Sequence, residues 1–184
     1  MTDEILLAFL NDFRPSWAED LRRRVGAATD RFVRLDSLQI DLQQFHAPER
    51  GQYHATLLLA ELLRHKPAGV GHIVGITEVD LFIPVLTFVF GQAQLGGPGA
   101  VVSVMRLHAD FYGLPADEDL LLARTVKEVV HELGHGFGLV HCPDYSCVMS
   151  SSTYVEDVDL KAEGYCRDCL DLLSNLPETR ATAV

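Results

Sequence analysis

Three histidines and one glutamate in the run His131-Glu132-Leu133-Gly134-His135-Gly136-Phe137-Gly138-Leu139-Val140-His141 could together hold a metal ion and use it on a water. Helix positions four apart lie on one face, one turn apart, so His131 and His135 can both reach a single zinc. Glu132 stands next to His131 and can take a proton from a water on that metal without itself being a ligand. Glycine at 138 permits a positive φ, so the chain can leave the helix and turn back. That turn swings His141 toward the same ion as a third ligand and leaves a fourth position open. Requiring Gly138 and His141 as well as H-E-x-x-H makes a chance match rarer by roughly two to three orders of magnitude, on ordinary residue frequencies. The pattern points to a catalytic-type zinc site.

The four cysteines, Cys142, Cys147, Cys166 and Cys169, all lie in the last quarter of the chain. Four thiolates in two short-spaced pairs match a closed tetrahedral structural zinc site. Two other readings stand beside this one. A redox C-x-x-C of the thioredoxin type would follow a strand near the start of a βαβ unit, which this pair does not. Two disulfides would suit an exported protein, and nothing in the sequence indicates export. The segment after Gly138 has too few apolar residues for a core of its own, so metal binding would supply folding free energy there. Because Cys142 follows His141 directly, a metal on the cysteines would also hold the third histidine.

A long helix must carry the first two histidines. Asp117 or Asp119 caps it, and it runs through Leu121, Val126, Val129 and Val130 to about Gly138. Upstream, Ile5–Leu10 reads as a first strand. Ser16 can cap a helix through Val25, residues 31–35 alternate as a strand does, and 39–51 form a polar connection. Residues 53–65 are helical, and 67–71 stop them. His72–Thr77, residues 87–92 and residues 100–107 are β-like, with Gly96-Gly97-Pro98-Gly99 as a turn between the last two. This order implies an α/β sheet with one helical layer holding the site. Beyond Gly138 the chain reads as irregular until a short helix near 166–173. One domain is expected over 1–184: an N-terminal subdomain to about 138, a C-terminal one over about 139–176, and a fraying tail at 177–184.

Composition narrows the function. A chain of 184 residues with 48% hydrophobic residues is long enough to bury one core. Acids outnumber bases by 26 to 15, giving a formal charge of −11. That field repels phosphate backbones and anionic membrane surfaces, so neither nucleic acid nor membrane is an expected partner. A zinc finger for nucleic acid fits the cysteines alone and fails on charge. The start of the chain has no basic leader or cleavage site, so a cytoplasmic protein is expected, and a monomer is the expected state.

The run HELGHGFGLVHC-PDYS-CVM followed by CRDC resembles the archaemetzincins, metzincin zinc metallopeptidases with four added cysteines. The upstream stretches GITEVDLFIP, FVFGQAQL and GAVVSVMRL are similar to that family's strand region. The resemblance implies an α+β metzincin-like fold. In it, a twisted mixed sheet with an antiparallel edge strand is joined to an active-site helix and a small zinc-stabilised C-terminal subdomain. It implies catalytic zinc on His131, His135 and His141, Glu132 as base, and structural zinc on Cys142, Cys147, Cys166 and Cys169, two ions per chain. Met149 would form a turn beneath the catalytic zinc. Phe88, Val89, Phe90, Gly91 and Gln92 would form the edge strand to which a peptide or unfolded protein substrate adds. After Met149 the run Ser150-Ser151-Ser152 is plainer than the family's, so specificity does not carry over from relatives.

His46, His54, His65, His72 and His108 lack ligand spacing and read as surface or satisfied polar residues. Asp157 and Asp159 read as a solvated acidic face, and Arg106 as one partner of a structural ion pair. Tyr145, Tyr154 and Tyr165 lie near the motif in sequence but read as packing rather than oxyanion donors. Two functions fit: an endopeptidase or aminopeptidase-like hydrolase, and a catalytically latent zinc-stabilised peptide-binding module. An intact Glu132 favours the first.

Overall fold

The computed structural model describes residues 4–175, and the tail expected at 177–184 lies outside them. In chain order the first half comprises β1 (Ile5–Leu10), α1 (Ala18–Thr29), β2 (Val33–Leu38), β3 (His46–Ala47), β4 (Gln52–His54) and α2 (Ala55–Arg64). There follow β5 (His72–Thr77), β6 (Leu81–Phe82), β7 (Gly91–Ala93), β8 (Gly99–Ser103), α3 (Glu118–Phe137), α4 (Val155–Leu160) and α5 (Arg167–Asn175).

Six successive apolar residues make β1 a strand buried along its whole length, which requires cover on both faces. Its side chains alternate accordingly. Ile5, Leu7 and Phe9 enter a core with Leu21 and Val25 of α1 and Val126, Val129 and Val130 of α3. Leu6, Ala8 and Leu10 enter a second core with Leu58, Leu59 and Leu62 of α2. Helices therefore lie on both faces of the sheet, which corrects the single helical layer inferred from element order. The apolar face of α2 must be buried somewhere, and the face of the sheet opposite α3 is what receives it.

The main sheet has the order β2-β1-β5-β8-β7. Its strands are parallel except for β7, which pairs antiparallel with β8 at the edge through Gly91↔Val102, Gln92↔Val101 and Ala93↔Ala100. A small sheet, β3-β4-β6, was not anticipated. The edge strand is shorter and later than the expected 88–92. Val89 bridges to Leu81 beside the small sheet, whereas Phe90 and Gly91 bond to β8 and its flank. The segment changes sheets at Phe90, so Phe88 and Val89 do not share a strand with Gly91 and Gln92, and Phe90, whose carbonyl accepts from Ser103 of β8, stands at the junction.

Other boundaries also moved. α1 starts at Ala18 with no side-chain cap, so Ser16 does not serve as one. The strand expected at 31–35 is Val33–Leu38, and the 53–65 helix begins only at Ala55, after β4. β8 stops at Ser103, whose Oγ accepts from the amide of Met105 and turns the chain into a 3-10 segment. α5 covers Arg167–Asn175 rather than 166–173, and α4 had no counterpart in the sequence reading. Among the described residues no helix is long and apolar enough to cross a membrane.

α3 is capped by Asp117, whose side chain accepts from the amide of Leu120 at 2.9 Å. It ends at Gly138, with φ of 105°, and the amide of Leu139 then bonds back to the carbonyl of Gly134. The segment after Gly138 returns along α3 and is tied to it by charge. Buried Arg124 donates to both oxygens of Asp159 at 2.7 Å and to the carbonyl of Leu107 at 2.8 Å. Lys127 donates to the carbonyls of Val158 and Asp159. Asp157 caps α4, accepting from the amides of Thr153 and Tyr154. The pair read as a solvated acidic face is thus a cap and an ion-pair partner. Replacing Asp159 by alanine leaves the buried Arg124 guanidinium without its anion. The expected loss is about 3 kcal/mol of stability, read as a lower midpoint in urea unfolding; an unchanged midpoint would show that the pair does not anchor α4.

Candidate active site

His131 and His135, near the C-terminal end of α3, point the same way because they are four residues apart. Each ring is fixed by its Nδ1. His131 donates from Nδ1 to the carbonyl of Val148 at 2.8 Å, and His135 donates from Nδ1 to the carbonyl of Leu139 at 2.8 Å. A carbonyl can only accept, so the proton of each neutral ring sits on Nδ1 and its Nε2 carries a lone pair. The two Nε2 atoms face each other at 3.1 Å. The ring of His141 completes the group, with centroids 5.3 Å from His131 and 5.0 Å from His135. One nitrogen from each ring lies within 4.8 Å of the others. Burial lowers the pKa of all three imidazoles and lowers that of His131 furthest, which favours the neutral, ligating form. Converging lone pairs repel unless a cation sits among them. Three neutral imidazoles, two of them with their protons held on the far side, are a donor set that suits zinc.

Glu132 is 5% exposed and lies on the side of α3 that faces β7. A Cβ added to Gly91 would come within 2.7 Å of its Cγ and of its Oε1. Only glycine at 91 lets the edge strand pass this close to the carboxylate. Burial, and then neighbouring Glu128, push the Glu132 carboxyl well above the usual range, so the acid has a high proton affinity.

Met149 is fully buried under α3. A Cβ on Gly134 would lie 2.3 Å from its Sδ, so the thioether packs against the helix backbone between His131 and His135. The carbonyl before it, of Val148, holds His131, and its own carbonyl accepts from the amide of Cys142 at 2.9 Å. Tyr165 packs against Gly134 as well and donates its hydroxyl to the carbonyl of Val130 at 2.9 Å. Tyr165 is a support, and Tyr145 and Tyr154 are largely exposed.

All four cysteines are free thiols. Their sulfurs lie within 4.8 Å of one another, with Cys142 to Cys166 at 3.8 Å and Cys147 to Cys169 at 3.7 Å. Sulfurs about 2.3 Å from a tetrahedral zinc would be about 3.8 Å apart along each edge. The amides of Met149 and Cys166 also point at the sulfur of Cys147, at 3.4 and 3.3 Å. The redox and disulfide readings have no such geometry to recommend them.

A family model described as peptidase family M54 matches residues 33–175. The chain belongs to peptidase family M54, the archaemetzincins. The archaemetzincin of Methanocaldococcus jannaschii is 40% identical over 155 residues, 84% of this chain and 84% of that protein. The crystal structure of archaemetzincin from Methanopyrus kandleri matches with a TM-score of 0.81 at 38% identity and covers 93% of both chains. A crystal structure of a zinc-dependent peptidase from Methanocorpusculum labreanum matches with a TM-score of 0.85 at 30% identity, covering 92% of this chain and 99% of that one. M54 membership makes the chain a metallopeptidase, and a peptidase implies peptide substrates.

Around this M54 site the structure adds two residues that sequence reasoning missed. Glu128 and Lys161 are both buried, with Lys161 Nζ 3.8 Å from Glu128 Oε1. Burial raises the Glu128 carboxyl although Lys161 opposes the shift. The signal was available: Arg124, Lys127 and Glu128 fall among the apolar residues between Leu120 and Val130, and charges rarely enter a core unpaired. Of the histidines set aside earlier, His72 comes nearest the motif, its ring edge-on to Phe137 at 4.8 Å. Arg106 forms the expected ion pair, with Asp80 at 2.6 Å.

The contact between Met149 and Gly134 leaves no room for a methyl group. Gly134→Ala should displace Met149 or bend α3 and cost roughly 1–3 kcal/mol. Thermal unfolding would show it as a lower Tm; a neutral or stabilising result would mean that Met149 does not press on the helix as described.

Proposed function

We propose that the chain hydrolyses peptide bonds with zinc on His131, His135 and His141 and with Glu132 as general base, while a second zinc on Cys142, Cys147, Cys166 and Cys169 holds the C-terminal segment. The observation that carries the reading is the approach of two Nε2 lone pairs to 3.1 Å, each ring proton being committed to a carbonyl on the far side. The chemistry that zinc supplies in such a site is a water of lowered pKa and a polarised substrate carbonyl. The chain supplies the rest. Glu132 takes up a proton at its carboxylate as water attacks, a step its raised proton affinity favours, and then passes that proton to the departing amine. β7 ends the main sheet, so a substrate in extended form can add along its outer side through main-chain hydrogen bonds. Lys161, the residue that ends α4, pairs with Glu128 of α3 at 3.8 Å and keeps α4 against α3. Four unoxidised thiols in a zinc-like arrangement suit a reducing, cytoplasmic setting.

The test is cleavage of a diverse peptide library by the zinc-loaded chain, read by mass spectrometry beside a Glu132→Ala control. Cuts should appear with the wild type and fall by about 10²–10⁴-fold in the control. Cuts that persist unchanged would remove Glu132 from its role. No cuts with either protein would leave the chain a latent, peptide-binding member of its family. Metal content separates the two sites: His141→Ala should retain one zinc per chain where the wild type holds two. Retention of both by the variant would overturn the ligand assignment.

A further inference from the structure

We infer that the cavity between Ser150 and Leu160 is a subsite for a lysine or arginine side chain of the substrate, close to the cleaved bond; this rests on the hydrolytic reading above. The cavity measures about 200 Å³ and is lined by Tyr145, Ser150, Ser151, Thr153, Asp157 and Leu160. That volume is below the range of sites for whole small ligands and suits one side chain.

Its position follows from the backbone. Ser150 is the residue after Met149, whose carbonyl holds the amide of Cys142, and two after Val148, whose carbonyl holds His131. The cavity therefore begins beside the segment that clasps the imidazole cluster. Residues of an extended peptide are about 3.3 Å apart, so a side chain entering here belongs to a residue within about two positions of the bond presented to that cluster.

Its chemistry favours a cation on a long apolar stem. Oδ2 of Asp157 accepts from the amides of Thr153 at 2.8 Å and Tyr154 at 2.9 Å, while Oδ1 takes no part in either bond. Those two amides hold the carboxyl below its usual range, so it stays ionised. Asp157 forms no ion pair among the described residues, and no lining residue is cationic. The basic side chains that meet or end α4 are engaged elsewhere: Arg124 with Asp159, Lys127 with two carbonyls, and Lys161 with Glu128. The hydroxyls of Ser150, Ser151 and Thr153 can accept from an ammonium or guanidinium group. Tyr145 and Leu160, largely exposed, offer a ring face and an isobutyl group to cover the methylenes. A formal charge of −11 biases approach toward cations.

The experiment measures binding, so it does not need turnover. Tripeptide hydroxamates that chelate zinc, carrying a single lysine or its neutral isostere norleucine at each position in turn, are titrated calorimetrically into the zinc-loaded full chain and into Asp157→Asn. The asparagine keeps an oxygen for the two capping amides, so α4 should survive, which circular dichroism would verify. At one position lysine should bind about ten-fold more tightly than norleucine, and the gap should vanish in Asp157→Asn. Equal binding of the pair, a gap that survives the substitution, or no binding of any compound would each overturn the subsite. Cleavage of the library with no such preference would leave the hydrolytic reading intact and remove only this inference, whereas lysine selection in a chain that cuts nothing would do the reverse.

Discussion

The arrangement of the site depends on one electrostatic constraint: two imidazole nitrogens brought to 3.1 Å with their lone pairs facing. Left alone, such a pair would rotate apart. It is held because Val148 and Leu139 each fix the opposite nitrogen of one ring, and both carbonyls belong to the segment that leaves α3. Gly138 makes this possible, since its φ of 105° is what turns Leu139 back over the last helical turn. The ligand geometry and the path of the chain after the helix are thus one problem with one solution.

That path has little apolar support of its own. Among the described residues after Gly138, the buried apolar ones are Leu139, Cys147, Val148, Met149, Val155, Val158 and Cys169, and all belong to the core that α3 shares with the sheet. The segment is a cover laid on the helix, not an independent core. Two kinds of polar anchor fasten it. One is the row of charged contacts from Arg124, Lys127 and Glu128 to α4 and Lys161. The other is the thiol cluster, which gathers Cys142 and Cys147 against Cys166 and Cys169 on the far side of the turn. In a segment this poor in apolar area, a tetrahedral thiolate site is the most economical source of folding free energy.

Much of this was legible in the sequence, for identifiable reasons. The i, i+4 histidines, the glycine at 138 and the short-spaced cysteines are local patterns whose geometry follows from helix periodicity and chain turns alone. β1 was legible because its apolar run is unbroken, and α3 because its apolar positions recur at helical spacing over 20 residues. What failed depended on distant partners. Residues 88–92 have strand-forming side chains, but whether Val89 joins Leu81 or Gly91 joins Val102 is decided by where two separate sheets lie. The second helical layer was missed because element order does not say which face of the sheet a crossover covers. Asp157 and Asp159 looked solvated because one caps a helix that nothing in its composition announces, and the other meets an arginine 35 residues away.

Gly91 shows how closely the two halves of the proposed mechanism are joined. The strand that would receive substrate and the acid that would move the proton touch without an intervening side chain, since a methyl group on residue 91 would fall 2.7 Å from the carboxylate oxygen. Glu132 cannot move toward the sheet, and β7 cannot sink toward the helix, without displacing the other. A peptide bonded along β7 would therefore sit at a fixed height above the acid, with His131 one residue before it and His135 three residues after it on the same helix. Distance between base and bond is the quantity that catalysis by a positioned carboxylate depends on most steeply. In the proposed mechanism it would be set by backbone packing across a glycine rather than by any flexible side chain.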